Sequence, residues 1–136
     1  HYKTAYKMFE HNKFFGVGNK MFRKLCGNKD YYYNEYSCST HPHNTYLQIL
    51  AENGLVGIVF ITTIFIYIAV ILFKEFIVRN FKKIKTLDDK ALLILIGIFL
   101  NLWPIIPSGN FFNNWLSILI YFPIGFLYYF NKNQNE

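Results

Sequence analysis

Charge is what this chain has least of. Asp, Glu, Lys and Arg make up 16% of its 136 residues, against about 25% in an ordinary soluble domain. The shortage is concentrated in two places. No charged residue occurs in the nineteen positions from Leu55 to Phe73, nor in the forty-one from Ala91 to Asn131. About 20 apolar residues cross a ~30 Å hydrocarbon core as a helix. The first stretch therefore predicts one crossing. The second is too long for one, and Pro104, Pro107, Ser108, Gly109 and Asn110 break it. Initiator methionine, signal peptide, internal repeat and low-complexity tract are all missing, so the chain reads as a fragment of a longer protein. Cysteine is also scarce: Cys26 and Cys38 both lie in the N-terminal segment. On the extracytoplasmic side of a membrane they are free to form a disulfide. With His41 and His43 they could instead supply a tetrahedral zinc set, but the spacing matches no common zinc motif and a disulfide would consume both sulfurs.

The formal net charge is +6, and its distribution argues against nucleic acid. Residues 1–53 hold seven Lys/Arg against four acids, and residues 74–90 hold six against three. The second cluster lies between two apolar stretches, where the positive-inside rule accounts for it and places it in the cytoplasm. The expected organisation is then an extracytoplasmic loop over 1–54, a transmembrane helix over 55–73, a basic cytoplasmic loop over 74–90, a transmembrane helical hairpin over 91–130, and a cytoplasmic tail over 131–136. The hairpin is read as spans Ala91–Ile106 and Trp115–Phe130, with Trp103 and Trp115 at the interface.

Within the loop, His1–Asn12 reads as an amphipathic helix with Ala5, Met8 and Phe9 on one face. Gly16-Val17-Gly18-Asn19 reads as a turn, Lys20–Leu25 as one or two helical turns, and Gly27–Thr40 as irregular. A short helix starts near Asn44, with Asn44 as N-cap or Thr45 with Gln48 in a capping box, and with Gly54 as its stop. The transmembrane helix either follows separately or continues this one through a kink.

His41-Pro42-His43-Asn44 precedes that helix, and Asn44, Gln48 and Glu52 recur on one of its faces. A histidine at a helix N-terminus meets the positive end of the dipole, which disfavours the imidazolium. A neutral imidazole accepts a proton. The plainer reading of one such histidine is a cap or surface residue. Lys20, Arg23 and Lys24 could assist with phosphate, but a solvated basic face is the preferred reading of them. Tyr31, Tyr32, Tyr33 and Tyr36 could stack sugars, but a membrane interface is the preferred reading.

The string from His43 to Gly57, HNTYLQILAENGLVG, resembles the signature of the O-antigen ligase and polymerase superfamily, roughly HN-x-x-L-x-x-x-x-E-x-G-x-x-G. Ala5–Phe9, Phe15–Gly18 and Phe22 resemble the stretch that precedes it, and the two C-terminal spans with a short outer turn resemble the family's end. The resemblance implies an all-α membrane glycosyltransferase of the GT-C type in the bacterial inner membrane, with its catalytic loop periplasmic. It implies transfer of a glycan from undecaprenyl pyrophosphate to a hydroxyl of a glycan or lipid A-core acceptor, among membrane lipids, with no metal, cofactor or nucleic acid. His43 matches the essential histidine and Glu52 the motif acid, with Asn44 and His41 in support. The family's pyrophosphate-binding arginines would fall just before His1, and Lys13 replaces a frequent proline. A polymerase or a protein O-oligosaccharyltransferase shares the same motif. A non-catalytic lipid- or partner-binding subunit is the alternative of another class. A transporter is disfavoured because the spans carry no charge.

Overall fold

The computed structural model describes residues 1–132, with the side chains of Leu116, Tyr128, Asn131 and Lys132 left aside. Residues 133–136, most of the expected cytoplasmic tail, lie outside it. Every regular element among the described residues is helical: α1 (Tyr2–His11), α2 (Phe22–Leu25), α3 (Thr45–Ile77), a π-helical turn (Val78–Lys82), α4 (Asp89–Asn101) and α5 (Asn114–Lys132). The chain divides into two compact units.

The first unit comprises His1–Thr62 and Pro104–Leu116. Its core is Ala5 and Met8 of α1, Phe22 of α2, Cys26 and Ala51, with Val17, Leu25, Tyr31 and Leu47 packed around them. Ala5 and Met8 point inward because they sit three apart on the apolar face of α1. A disulfide joins Cys26, just after α2, to Cys38 with 5.1 Å between their Cα atoms. It anchors the irregular segment that leads to His41–Asn44. Both sulfurs are thereby consumed, so neither is available as the thiolate that zinc requires.

The organising feature of this unit is a break in α3. Gly54 adopts φ 64°, ψ −153°, and the helix kinks there. A break in a helix strands backbone donors and acceptors, and here residues 13–18 run alongside and take them up. Val17 and Gly18 donate to the carbonyls of Ala51 and Glu52, both at 2.9 Å. Leu55 and Val56 donate to the carbonyls of Lys13 and Phe14, at 2.7 and 3.2 Å. The short helix thus ends at Gly54, and the apolar helix sets off from it at a kink.

The second unit comprises Thr63–Trp103 and the described residues from Ser117 onward. Phe65 stacks on Phe99 with centroids 5.0 Å apart, and Trp103 packs edge-on to both. α3 and the turn after it form one helical run, Thr45–Lys82, that is long and apolar enough to cross a membrane, and most side chains of its apolar part face outward. Helical structure continues past Phe73 to Lys82, into the segment expected to be a basic loop. Glu75, buried, makes that extension tolerable: it pairs with Arg79 one turn on and accepts hydrogen bonds from Thr86 and Leu87.

α4 is capped by Asp88, whose side chain accepts from the Lys90 amide at 2.9 Å. It ends at Asn101 and does not reach Ile106. Pro104 explains this, since it has no N–H for the next helical bond and disfavours helical geometry in the residue before it. Thirteen residues rise only about 20 Å, so α4 as a helix is shorter than a full crossing. α5 is longer but carries Pro123 internally.

Candidate functional site

The head of α3 collects the polar residues that the sequence singled out. Asn44 caps the helix: its Oδ1 accepts from the Leu47 amide at 3.0 Å, and its Nδ2 donates to the Pro104 carbonyl at 2.7 Å. The residue before it, His43, sits at φ 59°, in the left-handed region that only a few non-glycine residues adopt. This turn swings the imidazole away from the helix into solvent, where it is exposed. His43 Nε2 lies 3.0 Å from Ser39 Oγ, and its backbone carbonyl accepts from the Ser108 amide at 3.1 Å.

His41 packs beside it, with ring centroids 4.3 Å apart. Its Nε2 lies 3.1 Å from the Ser108 carbonyl. A carbonyl only accepts, so this nitrogen carries the proton. Nδ1, 2.8 Å from Thr40 Oγ1, is then the acceptor in the neutral ring. Burial holds the His41 pKa below its ordinary value. The Ser108 carbonyl opposes that shift, and His43 adds to it. His41 therefore favours its neutral form and presents an uncharged ring to His43. The His1 ring lies on the other side of His43, 5.5 Å away.

Below the histidines runs a buried polar chain. Glu52 is 1% exposed and Gln48 is fully buried. Glu52 accepts from the Phe22 amide at 2.9 Å through Oε1 and from Gln48 Nε2 at 3.1 Å through Oε2. Gln48 also donates to Asn110 Oδ1 at 2.8 Å, and its Oε1 accepts from the Phe111 amide at 3.0 Å. Glu52 thus ties the start of α2 to α3, and Gln48 ties α3 to the 108–112 turn. Replacing Glu52 with Ala leaves two buried donors without an acceptor. We expect a stability loss of about 1–3 kcal/mol, read as a lower unfolding temperature in detergent. Glu52→Gln, which keeps one acceptor oxygen for Phe22, should lose less. An unchanged unfolding temperature in Glu52→Ala would show that this chain is not formed.

Of the three basic residues noted in sequence, Lys20 and Arg23 line one open cavity of about 270 Å³ together with Asn110, Phe112, Asn113, Asn114 and Trp115. Lys24 is not part of that lining. The turn that holds the histidines through Ser108 also contributes Asn110 to this cavity. Sequence reasoning missed Ser39, Gln48, Ser108 and Asn110 as parts of the site. Gln48 was already visible in the four-residue stripe with Asn44 and Glu52. Ser108 and Asn110 lie some sixty residues away and gave no local signal.

These contacts rationalise the signature residue by residue: an exposed histidine, its capping asparagine, a buried acid and a glycine at a backbone crossing. Residues 1–62 match the O-antigen ligase family. That match supports reading the chain as a fragment from the O-antigen ligase superfamily. The matched part holds α1, α2 and the head of α3, and therefore most of the first unit. Superfamily members are membrane-embedded glycosyltransferases of the ligase and polymerase type, with glycans and lipid-linked glycans as substrates. No curated protein and no solved structure matches the chain.

Proposed function

We propose that this chain is the part of an O-antigen ligase that carries its catalytic base, and that His43 is that base. The observation that carries the reading is the exposed imidazole of His43, held at a left-handed turn with a hydroxyl group 3.0 Å from Nε2. That hydroxyl is Ser39's, and an acceptor alcohol in its place would stand at the distance for proton transfer to the imidazole. In the reaction the acceptor oxygen attacks the anomeric carbon of the donor sugar. The bond from that carbon to the pyrophosphate oxygen breaks, the new glycosidic bond forms, and the acceptor's proton passes to His43. Undecaprenyl pyrophosphate leaves as an anion and needs cations and hydrogen-bond donors more than an acid. The Lys20–Arg23 cavity, with three asparagines on its wall, supplies both kinds of group.

Asn44 and Glu52 act as positioning residues in this scheme, and His41 as a neutral neighbour that orients the turn. The donor is a glycan on undecaprenyl pyrophosphate and the acceptor a lipid A-core hydroxyl, with residues 1–54 on the periplasmic face of the inner membrane. In that orientation 55–73 and 91–130 are the transmembrane segments and 74–90 faces the cytoplasm.

The test is the product made by a strain lacking the gene. A ligase null should accumulate full-length glycan on its lipid carrier and have bare lipid A-core. Attached glycan one repeat long would assign a polymerase instead. Unaltered surface glycan and unaltered glycoprotein would remove the transferase reading.

A further inference from the structure

Two open cavities on the first unit adjoin each other. One, of about 460 Å³, is lined by Tyr2, Lys3, Tyr6, Lys7, Tyr33 and Leu47. The other, of about 350 Å³, shares Tyr2, Lys3 and Tyr33 with it and adds His1, Tyr36 and Ser37. Both volumes fall within the range of ligand clefts. The two form one trough, because three residues belong to both. Its near end reaches His1, whose ring is 5.5 Å from that of His43.

The walls have a specific chemistry. Four tyrosines on the trough are each at least half exposed, although Lys3 covers one face of Tyr33. Apolar C–H faces of sugars pack on such surfaces, and the hydroxyl is a polar handle at the edge. Lys3 Nζ donates to the Tyr33 hydroxyl at 2.8 Å and sits 4.2 Å from the Tyr33 ring centroid. Lys7 Nζ donates to the Tyr32 carbonyl at 3.0 Å and lies 5.8 Å from the same ring. Each ammonium keeps further N–H donors. No Asp or Glu lines either cavity. A site with stacking faces and two cations, and no acid, selects a ligand that is ring-shaped and anionic.

We infer that this trough is a subsite for an acidic glycan, in which a sugar stacks on Tyr33 and its neighbours while its carboxylate or phosphate meets Lys3 and Lys7. Resting on the transferase reading, it assigns this protein's glycan to the acidic class and leads that glycan past His1 to His43. A flat membrane interface would use the same residue types, but it needs neither a trough nor an end beside the histidines.

The test uses the whole chain in detergent micelles and follows binding by saturation-transfer NMR. The probes are oligogalacturonate and a maltooligosaccharide of equal length. Oligogalacturonate should bind at least tenfold more tightly than the neutral sugar. Lys3→Gln with Lys7→Gln should remove that preference, and Tyr33→Leu should weaken both sugars, while Tyr33→Phe, which keeps the ring, should retain the stacking. Equal binding of the two sugars, or an unaffected double lysine variant, overturns the proposal. So does displacement of the oligogalacturonate by phosphatidylglycerol vesicles, which would assign the face to the membrane. His43→Asn should bind like the parent chain. If binding holds and His43 proves dispensable for transfer, the base assignment fails and the subsite stands.

Discussion

Glycan transfer by the full-length protein should fall by about 10²- to 10⁴-fold when His43 becomes Ala, the range associated with loss of a general base. The measurement is complementation of a strain lacking the gene, with membrane expression checked by immunoblot. His43→Ala alone would be ambiguous, because His43 has φ 59° and its carbonyl binds the Ser108 amide. A residue that resists this backbone geometry could lose activity by disturbing the turn. His43→Asn separates the two causes. Asparagine enters the left-handed region readily and so preserves the turn, but its amide does not accept a proton at physiological pH. Both variants should be inactive at normal protein levels. If His43→Asn restores surface glycan, His43 is a backbone cap and the catalytic role is lost.

The second large effect is expected at Gly54. Its φ and ψ, 64° and −153°, lie in a region essentially confined to glycine, where other residues incur about 1–3 kcal/mol of strain. A β-carbon there would also meet the carbonyl carbon and oxygen of Phe14 at 2.5 Å. These are backbone atoms and have no rotamer to yield. Gly54→Ala should therefore separate residues 13–18 from α3 and break the four hydrogen bonds at the crossing. We expect a loss of about 3 kcal/mol or more, at the level where single substitutions become diagnostic, seen as depleted membrane protein and a lower unfolding temperature. Gly16 is the other face of the same contact: a β-carbon on it would lie 2.4 Å from the Glu52 carbonyl carbon. Gly16→Ala should fail similarly, and the double variant should cost less than the sum, since both remove one contact. A Gly54→Ala protein of normal abundance and melting temperature would mean that the crossing does not form.

The consequence for the site is direct. Glu52 and the crossing hold residues 13–22 to α3, and α2 carries Arg23 to its cavity. The backbone geometry at Gly54 is therefore tied to that of the basic cavity. The two predictions differ in readout: His43 should change transfer at constant protein level, whereas Gly54 should change the level itself.

The sequence by itself determined the helical class, the long apolar helix, the amphipathic α1 with Ala5 and Met8 inside, and a start of α3 at Asn44 or Thr45, of which the structure uses Asn44 as the cap. These are local properties. Periodicity, capping chemistry and apolar run length act within a turn or two of helix, so a linear reading captures them. The signature from His43 to Gly57 was legible for the same reason. What only the tertiary structure decided lies between distant residues. Gly54 looked like a helix stop, and the short helix does end there at a kink; residues 13–18, which satisfy the broken backbone, come from some forty positions away. The second apolar stretch looked like a span to Ile106, yet α4 ends at Asn101; the cause is local, since Pro104 stands three positions on. His41 and His43 were adjacent in the string, but their anchorage on Ser108, the linkage of Gln48 to Asn110 and the trough from Tyr33 to His1 all depend on long-range contacts. Such contacts are set by which surfaces must be buried together and which backbone groups must find partners, and no spacing along the chain records either.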